Sequence, residues 1–226
     1  MGIKKFFMLR ELLLITIAAF LFSGCGSQVL SHITTFHNIP NNLDQNKIKV
    51  VPFNKSLANS LEFQSYATTI GLFLKYSGFS IAEDNQEPDY IVFVSYGIDS
   101  GETTTSSIPI YGSTGGGTTR HSGSISGGGG YANYSGTSYK MPTYGIVGSQ
   151  TVTSTQYTRN LAVDIVEAKS LNSSLPKKIY EGRVKSSGSC PHITGVMPNM
   201  IKSLFREFPG PNGGSRTVIL PHSGDC

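Results

Sequence analysis

A fifty-residue stretch with almost nothing to bury divides this chain in two. Between Gly101 and Gln150 thirteen residues are glycine, serine, threonine and tyrosine dominate the rest, and only Glu102, Arg120 and Lys140 are charged. Glycine loses more backbone freedom on ordering than any other residue, and small polar side chains return little by burial. The apolar segments on either side must therefore build one core together. The stretch itself is expected as a flexible or protruding insertion, closed by a hairpin stem reaching Ile110 and Thr143. Only 14% of the 226 residues are charged, against about a quarter in ordinary soluble domains, and 38% are hydrophobic. That length and balance fit one domain with appendages rather than a typical cytosolic enzyme.

The flanking segments carry clear periods. Lys47 to Phe53 is a short β-rich run. Leu61, Phe63, Ala67, Ile70, Phe73 and Leu74 recur at three- and four-residue steps, which predicts a helix from about Asn59 to Ser77 with one apolar face. Asn59 with Glu62 resembles a capping box, and Gly78 suits the stop. Phe79 to Ala82 follows as a short strand. Tyr90, Val92, Val94, Tyr96 and Ile98 alternate with Ile91 and Phe93, as in a central strand covered on at least one side. Beyond the insertion, Leu161, Val163 and Ile165 alternate within Tyr157 to Val166, and Lys178 to Lys185 turns Glu181, Arg183 and Lys185 to water. Met197, Ile201, Leu204, Phe205 and Phe208 then return to helical spacing, with Pro198 in the first turn, and Thr217 to Leu220 reads as a last edge strand. Strands grouped between two helices predict an α+β fold: a mainly antiparallel sheet with two helices packed on one face and a long glycine-rich hairpin insertion.

The first residues give an address. Lys4, Lys5 and Arg10 precede an apolar run from Leu12 to Phe22, eleven residues where a bilayer core needs about 20. This is the pattern of a secretory leader, 1–24. Leu21-Phe22-Ser23-Gly24-Cys25 resembles the bacterial lipobox, although Phe22 stands where that motif usually has leucine. The resemblance implies cleavage before Cys25, acylation of that cysteine and a lasting membrane anchor. Gly26, in place of an aspartate that would favour retention in the inner membrane, implies the outer membrane facing the periplasm. Residues 25–46 then read as a polar tether with one short strand near Ile33 to Phe36, and 47–226 as the single domain with its insertion at 101–150. Without the leader the chain keeps fifteen basic and thirteen acidic residues, too even a balance for a nucleic-acid partner.

Cys190 and Cys226 are the remaining thiols. In an oxidising envelope a disulfide between them is the expected state. Two other readings use the same residues: Cys190 as a nucleophile with His192 as its base, and a metal site of Cys190, His192, His222 and Cys226. Neither has the spacing its chemistry favours, since a proline separates Cys190 from His192 and no C-x-x-C pair occurs. None of the common nucleotide, hydrolase or zinc-protease motifs is present. Asp164 on a core strand is expected on the solvated face, and Asp99 with Glu102 in a solvated turn. No cofactor and no metal is expected, nor an enzymatic role. The one region unlike a plain scaffold is the insertion, where Tyr111, Tyr131, Tyr134, Tyr139 and Tyr144 stand among serine, glycine and asparagine, the composition of adaptable binding loops as well as of inert low-complexity linkers.

Several segments taken together resemble a known group. Phe53, the Leu61 to Phe79 helix, Pro88-Asp89-Tyr90-Ile91-Val92, Asn160-Leu161-Ala162-Val163-Asp164-Ile165, Ile179-Tyr180-Glu181-Gly182 and Leu204-Phe205-Arg206-Glu207-Phe208-Pro209 resemble, over about residues 33–210, the bacterial envelope lipoproteins that share a domain of unknown function. Ile179-Tyr180-Glu181-Gly182 stands where that family has a tryptophan-containing strand. With the missing motifs and the tyrosine-bearing insertion, the leading expectation is a membrane-anchored envelope lipoprotein of unknown activity, a non-enzymatic module that binds or scaffolds an envelope protein or polysaccharide. An assembly factor that inserts its glycine-rich loop into an outer-membrane complex is the alternative, and an envelope hydrolase the third.

Overall fold

The computed structural model describes residues 27–40, 46–83, 85–222 and 226. The leader 1–24 and Cys25 lie outside the described residues, and so does part of the tether. In chain order the strands are β1 (Gln28–His37), β2 (Lys47–Pro52), β3 (Ser80–Ile81), β4 (Tyr90–Ile98), β5 (Glu102–Thr114), β6 (Gly117–Gly127), β7 (Gly130–Lys140), β8 (Thr143–Glu167), β9 (Lys178–Gly188) and β10 (Gly214–Pro221). The helices are α1 (Leu61–Tyr76) and α2 (Met197–Phe205). Residues up to Gly101 and from Gln156 onward make one unit, and Glu102–Thr155 makes a second.

In the first unit the sheet order is β10-β1-β9-β8-β4-β2-β3. Every pairing is antiparallel except those of β2, which runs parallel to both β3 and β4. The parallel join of β2 to β3 needs a crossover, and α1 supplies it. One face of the sheet carries Ile33, Ile48, Val92, Val94, Leu161, Val163, Ile165, Tyr180, Val184 and Val218, all buried in a single core with Phe63, Ile70 and Leu74 of α1 and Met197, Met200, Ile201 and Leu204 of α2. The fold is therefore α+β, with both helices against one face.

Local chemistry explains several boundaries. Helix α1 is capped by Ser60, whose hydroxyl accepts from the Phe63 N–H, rather than by Asn59 as its sequence suggests. Pro198 falls in the first turn of α2, where its missing N–H has no intrahelical partner to lose. At the other end of α2 the Arg216 guanidinium donates to the Leu204 carbonyl at 2.8 Å, satisfying one of the carbonyls a helix terminus leaves open. The Pro-Asp-Tyr segment works as a clamp. The Asp89 N–H donates to the Lys47 carbonyl, its carbonyl accepts the Ala168 N–H, and its carboxylate accepts the Lys47 N–H at 2.8 Å, which sets the start of β2 beside β4. Gly182 is obligatory for close approach, because a Cβ there would lie 2.8 Å from the Tyr180 ring and 2.9 Å from Leu204. Tyr180 in turn packs on Phe208 at 4.9 Å between ring centroids, so the Tyr-Glu-Gly and Phe-Pro segments meet in one aromatic cluster.

Two expectations are corrected. Gln28–His37 is no tether with a short strand. It is a ten-residue strand held between β9 and β10, with Val29, Ser31, Ile33 and Thr35 facing the core. Half of those inward residues are hydroxylic, which blurs the apolar alternation in the sequence. The open backbone edges of two C-terminal strands supply the pairing, so the domain begins at Gln28 rather than Lys47. The insertion has the long hairpin stem expected of it, joined as far as Thr114 and Thr143, but the tip expected as flexible is itself paired. Its residues pair almost throughout, β5 with β8 and β6 with β7, the latter in unbroken register from Gly117–Lys140 to Gly127–Gly130.

Cys190 and Cys226 are bonded to each other, with Cα atoms 5.2 Å apart across 36 residues of sequence. Closing a loop of that length stabilises by about 4 kcal/mol in the chain-entropy model. Cys226→Ser is expected to lower the melting temperature by up to roughly 16 °C, at about 2–4 °C per kcal/mol for a chain of this size, and alkylation before reduction should label neither thiol of the parent. Ile33→Ala is expected to cost about 2–5 kcal/mol, as for a buried core residue. A tether residue would cost nothing, so a denaturant titration separates the two placements of β1.

Candidate functional site

Three places hold residues that could carry function. The first is the end of the sheet at the disulfide. Arg159 sits two residues before Leu161 on β8, so its side chain falls on the core face, and it is 2% exposed. Its register partner on β9 is Ser186, and the partner of Ser186 on β1 is Ser31. One guanidinium nitrogen, Nη2, donates to the Cys190 carbonyl at 2.9 Å. Nε of Arg159 and the hydroxyls of Ser186 and Ser31 are buried and have no hydrogen-bond partner. A cleft of about 100 Å³ opens here, lined by Arg159, Ser186, Gly188, His222 and the disulfide. His222 approaches Cys226 Sγ through Nε2 at 3.1 Å, while its Nδ1 is left without a partner. Burial lowers the Arg159 pKa and the neighbouring Asp99 opposes that shift. Neither thiol is free for nucleophilic attack or for metal ligation, because each is spent on the other. Among the described residues no group of three metal-ligating side chains converges.

The second place is the uncovered face of the sheet. Asp164 lies there, paired with Arg183 and with Lys178, which also holds Glu181 at 2.6 Å. The hydrogen bonds from Lys178 to Glu181 and Asp164 raise the lysine's pKa. Asp164 is thus a half-exposed member of an ion network. Asp99 accepts the N–H groups of Thr158 and Gly101 at 2.9 and 3.0 Å, and these bonds, that from Thr158 foremost, hold its carboxyl below the usual range. It is the cap of a turn.

The third place is the unit Glu102–Thr155. Its five candidate tyrosines do not converge. Tyr111 and Tyr144 stack with ring centroids 6.4 Å apart. Tyr131 and Tyr139 share one face of β7, opposite Ser126 and Thr118 of β6, and at about 3.4 Å per residue they lie some 27 Å apart. Tyr134 is on the other face, its ring over Gly123, where a Cβ would come within 2.6 Å. Nearly every residue of this unit is exposed, Tyr139 at 68% and Tyr144 at 78%. The rings thus fall into one stacked pair on the β5–β8 stem and three separate exposed rings on both faces of β7.

Arg159, Ser186 and Ser31 are not singled out by any motif. A signal for Arg159 existed in the alternation Arg159, Leu161, Val163, Ile165, which puts a charge on the apolar face. The serines carry no such mark.

No curated protein sequence matches the chain. Among solved structures it is similar to a PDZ domain protein from Parabacteroides distasonis, with 7% identity and a TM-score of 0.39, over 86% of this chain and 39% of that one. The chain thus spans well under half the length of that structure. The model of a domain of unknown function, DUF4136, matches residues 28–210, which begins at the first residue of β1 and ends just beyond the Phe208-Pro209 segment. The chain belongs to the DUF4136 family.

Proposed function

We infer that this chain is an envelope lipoprotein, anchored through acyl chains on Cys25, facing the periplasm from the outer membrane, and acting as a non-enzymatic binding or scaffold module. The observation that carries the reading is the ribbon Glu102–Thr155. It exposes Ile108, Ile110, Ile125, Ile146, Val147 and five tyrosines with only three charged residues among them. An isolated ribbon of this kind is marginal in water, and charge-poor strand edges are what soluble proteins avoid. Such a surface is retained where a partner covers it. Tyrosine supplies contact area at low entropic cost, and the intervening serines and threonines supply hydrogen bonds, which suits an envelope protein or a polysaccharide. The leader-like first residues and the lipobox-like Leu21–Cys25 segment support the address. The ion-paired Asp164 and the turn-capping Asp99 support a role without catalysis, since both carboxylates are committed to neighbours.

Two measurements check this. Intact-mass analysis of the membrane fraction should find an N-terminal peptide that begins at acylated Cys25, and an unmodified peptide across Phe22 to Ser27 would remove the anchor. Replacing Gly115 to Pro142 by an Asn-Gly turn, which joins Thr114 to its bonding partner Thr143, should leave the melting temperature within a few degrees of the parent, because the removed residues bury hardly any side chain. The same replacement should erase the crosslinked partners of the parent. An unchanged partner set would mean that the ribbon does not bind.

A further inference from the structure

The geometry points to a phosphate-binding site in the cleft between Arg159, Ser186 and the Cys190–Cys226 disulfide. The inference starts from an imbalance of charge. A guanidinium keeps its charge in any protein, and removing it from water is costly unless an anion faces it. Arg159 is 2% exposed, yet its hydrogen bond within this end of the sheet goes to a neutral carbonyl, that of Cys190. Asp99, the neighbouring acid, favours that charge from beyond ion-pair distance, and its carboxylate accepts two backbone N–H groups instead of the guanidinium. Among the described residues no aspartate or glutamate side chain makes an ion pair with Arg159 within 4.0 Å, and none lines the cleft.

The donors left over fit one class of ligand. Nε of Arg159 is an N–H without an acceptor, and the Ser186 hydroxyl, 1% exposed on the adjacent strand, is equally unsatisfied. His222 also lines the cleft: with Nε2 donating to the disulfide sulfur, its unpartnered Nδ1 accepts in the neutral ring and donates to an anion only in the protonated one. A guanidinium fork and a hydroxyl at paired positions of adjacent strands match an oxyanion with several free oxygens. A cleft of about 100 Å³ takes one such group and no larger body, and it is open to solvent through Ser27, Gln28 and Ser187 on its rim.

The position of the cleft suggests two sources for the phosphate. Ser27 is on its rim, and Cys25 precedes Ser27 by two residues, a reach of about 7 Å at most. If the anchoring proposed above holds, the cleft stands next to the bilayer surface and a phospholipid headgroup fills it. The lipid source rests on that reading, whereas the site itself does not, since free phosphate would bind the same donors.

The test uses the full chain in a phosphate-free detergent and follows thermal melting by circular dichroism. Sodium phosphate should raise the melting temperature saturably by several degrees over sodium chloride at equal ionic strength. Arg159→Gln should abolish the rise. Ser186→Ala decides the matter should Arg159→Gln fail to fold: it removes a hydroxyl with no partner, so its melting in chloride should hold or rise, while its affinity for phosphate should fall at least tenfold. For the source, the chain is moved into phosphatidylglycerol vesicles. A lipid headgroup in the cleft makes added phosphate without effect there and makes the parent, but not Ser186→Ala, melt higher than in detergent, whereas a persistent phosphate response assigns free phosphate. No phosphate-specific rise in detergent, or an equal rise in the parent and Ser186→Ala, overturns the site. An unmodified Cys25 with an intact phosphate response would overturn the anchor and leave the cleft standing.

Discussion

Everything in the first unit depends on where β1 goes. The first described strand of the chain is inserted between β9 and β10, so residues as far apart as His32 and Thr217 are neighbours, joined through the imidazole and the threonine hydroxyl at 3.0 Å. Neither the sheet nor its core can be completed before the last strand is available. Pairings of such long sequence separation make folding slow, because closure entropy is paid before the contacts return anything. In return the two ends of the domain are held by two ladders of backbone hydrogen bonds and, next to them, by the disulfide.

That arrangement also explains why the polar row sits where it does. Strands β1, β9 and β8 run side by side, and at the level of Ser31, Ser186 and Arg159 the cover over the sheet changes from helix to the disulfide-bonded segment. Farther along the same strands, Ile33, Val184 and Leu161 lie in the core. The sheet therefore has a dry part under α1 and α2 and a polar end under the disulfide. Removing Arg159 from water is costly, and a site of this sort persists where the charge has a use.

The ribbon follows a different physical rule. Its strands are held by backbone ladders and by hydroxyl pairs such as Thr103 with Thr155 at 3.0 Å, with hardly any buried side chain. Substitutions on it should be nearly neutral for the stability of the sheet and its helices, since little of its surface leaves water on folding. The family match extends across the ribbon, from Gln28 to Gly210, while the core lies wholly outside it. Stability and the recognition proposed for the ribbon thereby fall on different stretches of one chain.

Periodicity alone was enough to mark the elements that bury a continuous apolar stripe. Val92, Val94, Leu161, Val163 and Ile165 announce two strands, and Phe63, Ile70 and Leu74 announce α1, because side-chain alternation is a local property of the backbone. The disulfide was legible too, since two thiols in an oxidising compartment have few other fates. Three matters were decided only by the tertiary structure. Strand β1 puts Ser31 and Thr35 in the core, so its membership in the sheet comes from the free edges of β9 and β10 rather than from its own hydrophobicity. The glycine-rich stretch forms strands because consecutive segments can pair with each other, which no single segment of such composition reveals. The cleft joins Arg159, Ser186, His222 and the disulfide from separate strands and a loop, and a constellation of that kind exists only once the register between strands is set.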